Sequence, residues 1–203
     1  MNPRRRVLAI ILPAVILGPV LSGVVHEIGH ALVVSAFGGT LHGIQPFWVL
    51  GAPHVHFEGE IGGAGLSLVY AAGVLAVLAV TWLAMLFVPF ARFSNATAVA
   101  WGIVLASMFT QLVGWAVLPL LALGGVRIRD DAVNFLDATP VHPAWVSAIS
   151  VTLLAVTFVV FLRRTDFARR FRSLRDELYQ GDEVDSLGSA SESSRRPPRP
   201  PGS

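Results

Sequence analysis

The sequence predicts an all-α polytopic membrane protein of about four transmembrane helices, with a short membrane-associated β-like insertion between the first two. Three observations carry that prediction. Hydrophobic residues make up 54% of the 203 positions and charged residues only 14%, against about 25% charged in an ordinary soluble domain, and the mean hydropathy is +0.65. The apolar residues gather into four runs, each near or above the roughly 20 residues that a spanning helix needs. The basic residues, all Arg and none Lys, are clustered: nine of the 15 lie in the first six positions or in the stretch 163–175, and only Arg92, Arg127 and Arg129 fall between. A calculated pI near 9.9 then reflects the Arg excess that flanks membrane helices on the cytoplasmic side, so no nucleic-acid partner is expected. The absence of cysteine excludes disulfides, thiolate metal ligands, iron–sulfur clusters and thiol nucleophiles. Any metal must be held by His, Asp or Glu.

The first run extends from Val7 to about Phe37, directly after Arg4, Arg5 and Arg6. Its length, with Pro13 and Pro19 inside it, sets it apart from a signal peptide, whose apolar core is about 7–15 residues. Residues 38–65 mix glycines with Ile44, Phe47, Trp48, Val49, Leu50, Val55 and Phe57, which predicts short extended pieces near the interface. Irregular backbone at membrane depth is tolerated only where protein or water satisfies it, so this insertion is expected to pack on the helices or line a cavity. In an extended piece His54, His56, Glu58 and Glu60 would point to one side.

The remaining runs are Leu66 to Phe90, Thr97 to Leu123 and Ala144 to Leu162. The link at 91–96 is short, which predicts an antiparallel hairpin of the second and third helices. Residues 1–162 thus form the transmembrane unit. An even number of spans leaves both Arg-rich ends on one side, the cytoplasm, and places segments 38–65 and 124–143 together on the other. The stretch 163–180 alternates Arg with Phe167, Phe171 and Leu174, as an interfacial amphipathic helix whose Arg contact anionic headgroups would. Residues 181–203, rich in Ser, Gly and Pro, predict a disordered tail.

Inside the first run the sequence VVHEIGHALVV contains HExxH. A helix brings His26 and His30 onto one face, where two imidazoles can hold one Zn²⁺ and Glu27 can take a proton from an activated water. Ionisable groups within a membrane span are costly, which favours a functional centre over buried structural histidines, and haem ligation would explain neither Glu27 nor the spacing. Gly29 allows another helix or a substrate backbone to come close. Catalytic zinc usually takes three protein ligands. Segment 124–143 offers Asp131, Asp137, Asp130 and His142, with His54 and His56 as further candidates. Asp131 is favoured because it opens the run AVNFL and can be held at a helix N-terminus, with Asp130 as the alternative cap.

This combination resembles the intramembrane zinc metalloproteases of the site-2 protease type, in their compact M50-like bacterial and archaeal form without PDZ or CBS domains. HExxH at 26–30 matches the family's membrane-helix motif. Asp131-Ala132 followed by Asn134-Phe135-Leu136 is similar to its second, Asp-Gly motif with Ala in the Gly position, and Leu136-Asp137-Ala138 competes for that match. Ala71-Ala72-Gly73 resembles a small-residue motif that opens a family helix, with Val74 where the family has Pro. The Gly-rich stretch 59–65 corresponds to the region where a membrane-associated strand offers hydrogen bonds to unwound substrate. The resemblance covers roughly residues 10–140. It implies Glu27 as catalytic base and acid, a Zn²⁺ cofactor on His26, His30 and Asp131, a transmembrane protein substrate, and residence in a prokaryotic cell membrane. Asn134, Gln111 and the histidines at 42–56 are candidates for stabilising the oxyanion. Two other functions compete: a zinc-binding membrane protein of the same fold that does not cut, and a metal or proton transporter, for which no internal repeat is visible.

Overall fold

The computed structural model describes residues 3–45, 54–126 and 128–179. The tail at 181–203 and the aromatic stretch 47–50 lie outside them. Helix α1 (Pro3–Ala36) is followed by an antiparallel hairpin of β1 (Thr40–Gln45) and β2 (His54–Glu58), then α2 (Gly63–Phe87), a 3₁₀ turn (Phe90–Arg92), α3 (Asn95–Phe109), α4 (Gln111–Leu123), α5 (Asp131–Asp137) and α6 (Pro143–Thr165). A last helix, α7, spans 167–179. Among the described residues four stretches are long and apolar enough to cross a membrane, Arg4–Ala36, Gly63–Phe87, Asn95–Leu123 and Pro143–Thr165. The chain is an all-α polytopic membrane protein with one small sheet.

The exterior confirms the solvent. Leu8, Leu12, Ile16, Leu32, Leu83, Phe87 and Ile149 are all exposed, and such a surface is stable only against lipid. The inward face of α1 is instead built from small residues. Ala14, Gly18 and Ser22 recur every fourth position and are buried, the spacing that lets two membrane helices approach closely. A Cβ on Gly18 would lie 2.7 Å from Ser107 Oγ and 3.3 Å from Val104 Cα, so α3 rests directly on α1. On another side, a Cβ on Gly29 would lie 2.5 Å from the Ala72 carbonyl oxygen and 2.7 Å from Ala76 Cβ. The close approach that Gly29 permits is therefore by α2, not by a substrate backbone.

Two sequence expectations change. The second and third spans do not form a closely paired hairpin: α1 packs along both α2 and α3, which touch each other far less. The third span is also divided at Thr110 into α3 and α4. Ser107 Oγ donates to Ile103 O at 3.0 Å and Thr110 Oγ1 donates to Ser107 O at 2.7 Å, and such back-bonding to the helix's own carbonyls bends it. Pro13 and Pro19 do not interrupt α1.

The hairpin at 40–58 is the expected β-like insertion, with a bulge between Leu41 and Gly43. Val55 and Phe57 are half-buried and His54, His56 and Glu58 exposed, so the alternation holds. Glu60 falls beyond the strand, after Gly59 at φ 130°. The strand lies ahead of the Gly-rich stretch, whose last three residues already belong to α2.

At the opposite end, Asp166 in the left-handed conformation (φ 52°) separates α6 from α7. Phe167 packs against Gly102 and 5.5 Å from the Phe161 ring centroid, and Leu174 is buried. Arg164 donates to Met85 O and Leu86 O, and Arg170 to Phe93 O and Phe90 O. These two guanidiniums cap the carbonyls left open where α2 and the 3₁₀ turn end, a role the amphipathic pattern alone did not reveal. Arg163, Arg169, Arg172 and Arg175 remain exposed.

Candidate metal centre

The centre forms where α1, α2 and α5 meet. His26 lies against Gly73 and His30 against Val69, so α1 and α2 run antiparallel and the second imidazole sits one turn nearer the hairpin. His30 Nδ1 is 2.6 Å from Val69 O. A carbonyl only accepts, so Nδ1 carries the proton and donates it, which fixes the ring's orientation and presents Nε2 to the centre.

Asp131 completes the cluster from 105 residues away. Its Oδ2 lies 2.8 Å from His26 Nε2 and 3.0 Å from His30 Nε2, and the two Nε2 atoms are 2.9 Å apart. The helix that carries it is held rigidly. Ala132 and Val133 are buried, Phe135 packs 5.4 Å from Trp115, and Ser67 Oγ on α2 reaches Ala138 O at 3.0 Å. Burial opposes ionisation of Asp131, but the two imidazoles outweigh it and hold its carboxyl well below the usual carboxylate range.

The other candidates for the third position lie elsewhere. Asp130 is the cap of α5, accepting from Ala132 N at 3.0 Å, as one of the two readings of this pair expected. Asp137 ends the same helix and lines a separate small hollow beside Leu136 and Val141. His142 caps α6, its Nδ1 accepting from Ala144 N at 3.2 Å. His54 and His56 meet each other on the hairpin, Nε2 to Nε2 at 2.6 Å.

Glu27, 3% exposed, lies beside the imidazoles, and one ligating atom from each of His26, Glu27 and His30 falls within 4.8 Å of the others. This His–Glu–His group could hold a metal ion. Three features fit one. His26 Nε2, His30 Nε2 and Asp131 Oδ2 converge within 3.0 Å, and three such atoms share that space only with a proton or a cation between them. Glu27 Oε2 and His26 Nδ1 are buried with no hydrogen-bond partner among the described residues, so the pocket holds polar capacity that its own side chains do not use. Gly73 supplies the space, since a Cβ there would lie 2.5 Å from His26 Cε1 and Nε2 and 2.6 Å from His30 Nε2.

A cleft of about 1240 Å³ opens onto these residues and runs between the hairpin and α3, α4 and α5, reaching Tyr70, Gln111 and Asn134. Gln111 Nε2 donates to Ser22 Oγ at 3.2 Å, a polar pair inside apolar spans. Sequence reading did not find this pair, the Val69 carbonyl or the Ser67 tether. Ser22 does stand one helical turn before His26, on the same face, and that spacing was an available signal. Gly73 was read as part of a small-residue motif, and its contact is with the imidazoles themselves.

No family model, curated protein or solved structure matches the chain significantly. The likeness to intramembrane proteases therefore rests on the local motifs around residues 26–30 and 131–136.

Proposed function

We propose that this chain is an intramembrane zinc metalloprotease that hydrolyses peptide bonds in or near the transmembrane segments of other membrane proteins. The observation that carries the reading is the convergence of His26 Nε2, His30 Nε2 and Asp131 Oδ2 within 3.0 Å of one another, with the buried Glu27 alongside at the wall of a cleft. Such a two-nitrogen, one-carboxylate set is the donor chemistry of catalytic zinc, which leaves a position open.

His26, His30 and Asp131 would hold the ion, which when bound polarises a carbonyl and acidifies water. The chain's own part is proton transfer and positioning. Glu27 Oε2, with no hydrogen-bond partner among the described residues, accepts the proton of the water whose oxygen bonds to the scissile carbon. It returns that proton to the amide nitrogen as the C–N bond breaks, giving a carboxylate and an amine. Val69 keeps His30 in one tautomer, and Asp131 balances charge at the start of α5. A substrate helix must unwind first, because its carbonyls are otherwise bonded internally, and Gln111, Tyr70 and Asn134 give the cleft polar groups to meet the freed backbone. The Arg bias orients the centre toward the non-cytoplasmic face.

The test combines metal analysis of detergent-purified protein with cleavage of a panel of membrane substrates. Wild type is expected to carry zinc and cut, and Glu27→Gln to keep zinc and lose cutting by about 10²–10⁴-fold. Zinc in wild type without cleavage of any substrate would leave the binding-only reading, which Ala132 in the place of the motif's Gly favours. Protein without zinc would sink both.

A further inference from the structure

The exposed face of the hairpin holds three further histidines. Of the chain's six His, His26 and His30 form the centre and His142 caps α6, while His42, His54 and His56 stand together on β1 and β2. In β2 the sequence HVHFE places His54, His56 and Glu58 at alternate positions, so all three side chains leave the same face. His42, the residue at the bulge, turns to that face as well, its Nε2 3.2 Å from Glu58 Oε2. His54 and His56 bring their Nε2 atoms to 2.6 Å, with ring centroids 4.3 Å apart.

We infer that this face is a second, exchangeable divalent-cation site, with His54 and His56 as its nitrogen ligands and the exposed Glu58 carboxylate, two positions along on the same face, turning in from its contact with His42 to complete it. Two imidazoles at alternate positions of one strand present nitrogens from a backbone that the ladder already fixes, so little ordering is needed to close on an ion. Two nitrogens on one tetrahedral zinc stand about 3.3 Å apart. The pair need open only slightly from its present contact, and its exposure leaves room to do so. Imidazole with one carboxylate suits Zn²⁺, Cu²⁺ or Ni²⁺ over Mg²⁺ or Ca²⁺. Both histidines also line the cleft that holds His26 and Glu27, so an ion here stands at the mouth of the central site. The inference does not depend on proteolysis.

Full-length protein in detergent, stripped of metal and titrated with Zn²⁺, is expected to take up two ions per chain by calorimetry and metal analysis. His54→Ala/His56→Ala is expected to take up one, with unchanged circular dichroism because both residues are exposed. His26→Ala is expected to lose the other. Two ions in the hairpin double variant would overturn the site. So would a single wild-type ion that His26→Ala removes, an outcome that leaves the central reading standing. A single ion removed by the hairpin double variant instead supports this site and overturns the central one.

Discussion

Gly73→Ala tests the centre without touching a ligand. The new Cβ would stand 2.5 Å from His26 Cε1 and Nε2 and 2.6 Å from His30 Nε2, where carbon contacts prefer about 3.5–4.0 Å. Something must move by about 1 Å, and neither side yields easily. His30 is tied to Val69 O at 2.6 Å, and α2 cannot back away without opening its contact at Gly29, where the Ala72 carbonyl fits only because a side chain is missing. Moving the imidazoles by that amount should weaken zinc binding about 10–100-fold, the usual effect of disturbing a ligand's support, and lower cleavage about 10²-fold further. Stability should change little by comparison, since overpacking of about 1–3 kcal/mol is partly offset by the roughly 1 kcal/mol that Ala gains over Gly within a helix. The assay is zinc affinity by competition with a chelator, read beside thermal unfolding. Gly114→Ala is the control, because its Cβ would meet only Leu118 Cδ1 at 3.9 Å. Wild-type zinc affinity in Gly73→Ala would refute the packing argument.

Further outcomes follow from the same geometry. Asp131→Asn should abolish zinc retention whereas Asp137→Asn should leave it intact; metal analysis of both decides the third ligand, and the reverse pattern would move it to Asp137. Asp130→Ala should cost about 1 kcal/mol through loss of the α5 cap, visible in thermal unfolding, while the zinc stoichiometry stays as in wild type. Because the Asp131 carboxyl is held low in the folded chain, its contribution to metal-free stability is present above the ordinary carboxylate pKa of about 3.9 and is lost as pH falls below that toward its lowered folded value. Acid titration of unfolding should show this slope in wild type and a flatter one in Asp131→Asn; equal slopes would contradict the assignment. A cysteine at 129 in this cysteine-free chain should react with an impermeant reagent from the non-cytoplasmic side only.

The sequence was most legible where the relevant geometry is local. His26 and His30 meet because a helix returns to the same face after four residues, and no tertiary information is needed to see it. Asp131 was reachable only as the favourite among several acids, because the difference between Asp130 and Asp131 is which one turns outward to cap and which inward, a matter decided by the packing of Ala132 against α2 and α4. The order of packing was hidden for another reason. Helices apolar on all sides carry no polar face to show which neighbour they touch, and only the small residues Ala14, Gly18, Ser22 and Gly29 record it. The capping by Arg164 and Arg170 was masked by their surroundings, since Arg beside aromatic residues at a membrane edge reads first as a lipid contact.

The placement of α1 has a consequence for the order in which the protein is made. The helix that bears His26, Glu27 and His30 leaves the ribosome before its close neighbours, α2 and α3, and before the Asp131 that joins it 105 residues later. At about 5–20 residues per second, this separation is a delay of roughly 5–20 s. During that interval the nascent chain holds two imidazoles and a carboxyl without the third donor or the surrounding walls. The candidate metal centre thereby stays incomplete until three of the four candidate spans have been made, and a chain that stalls before Asp131 never assembles it.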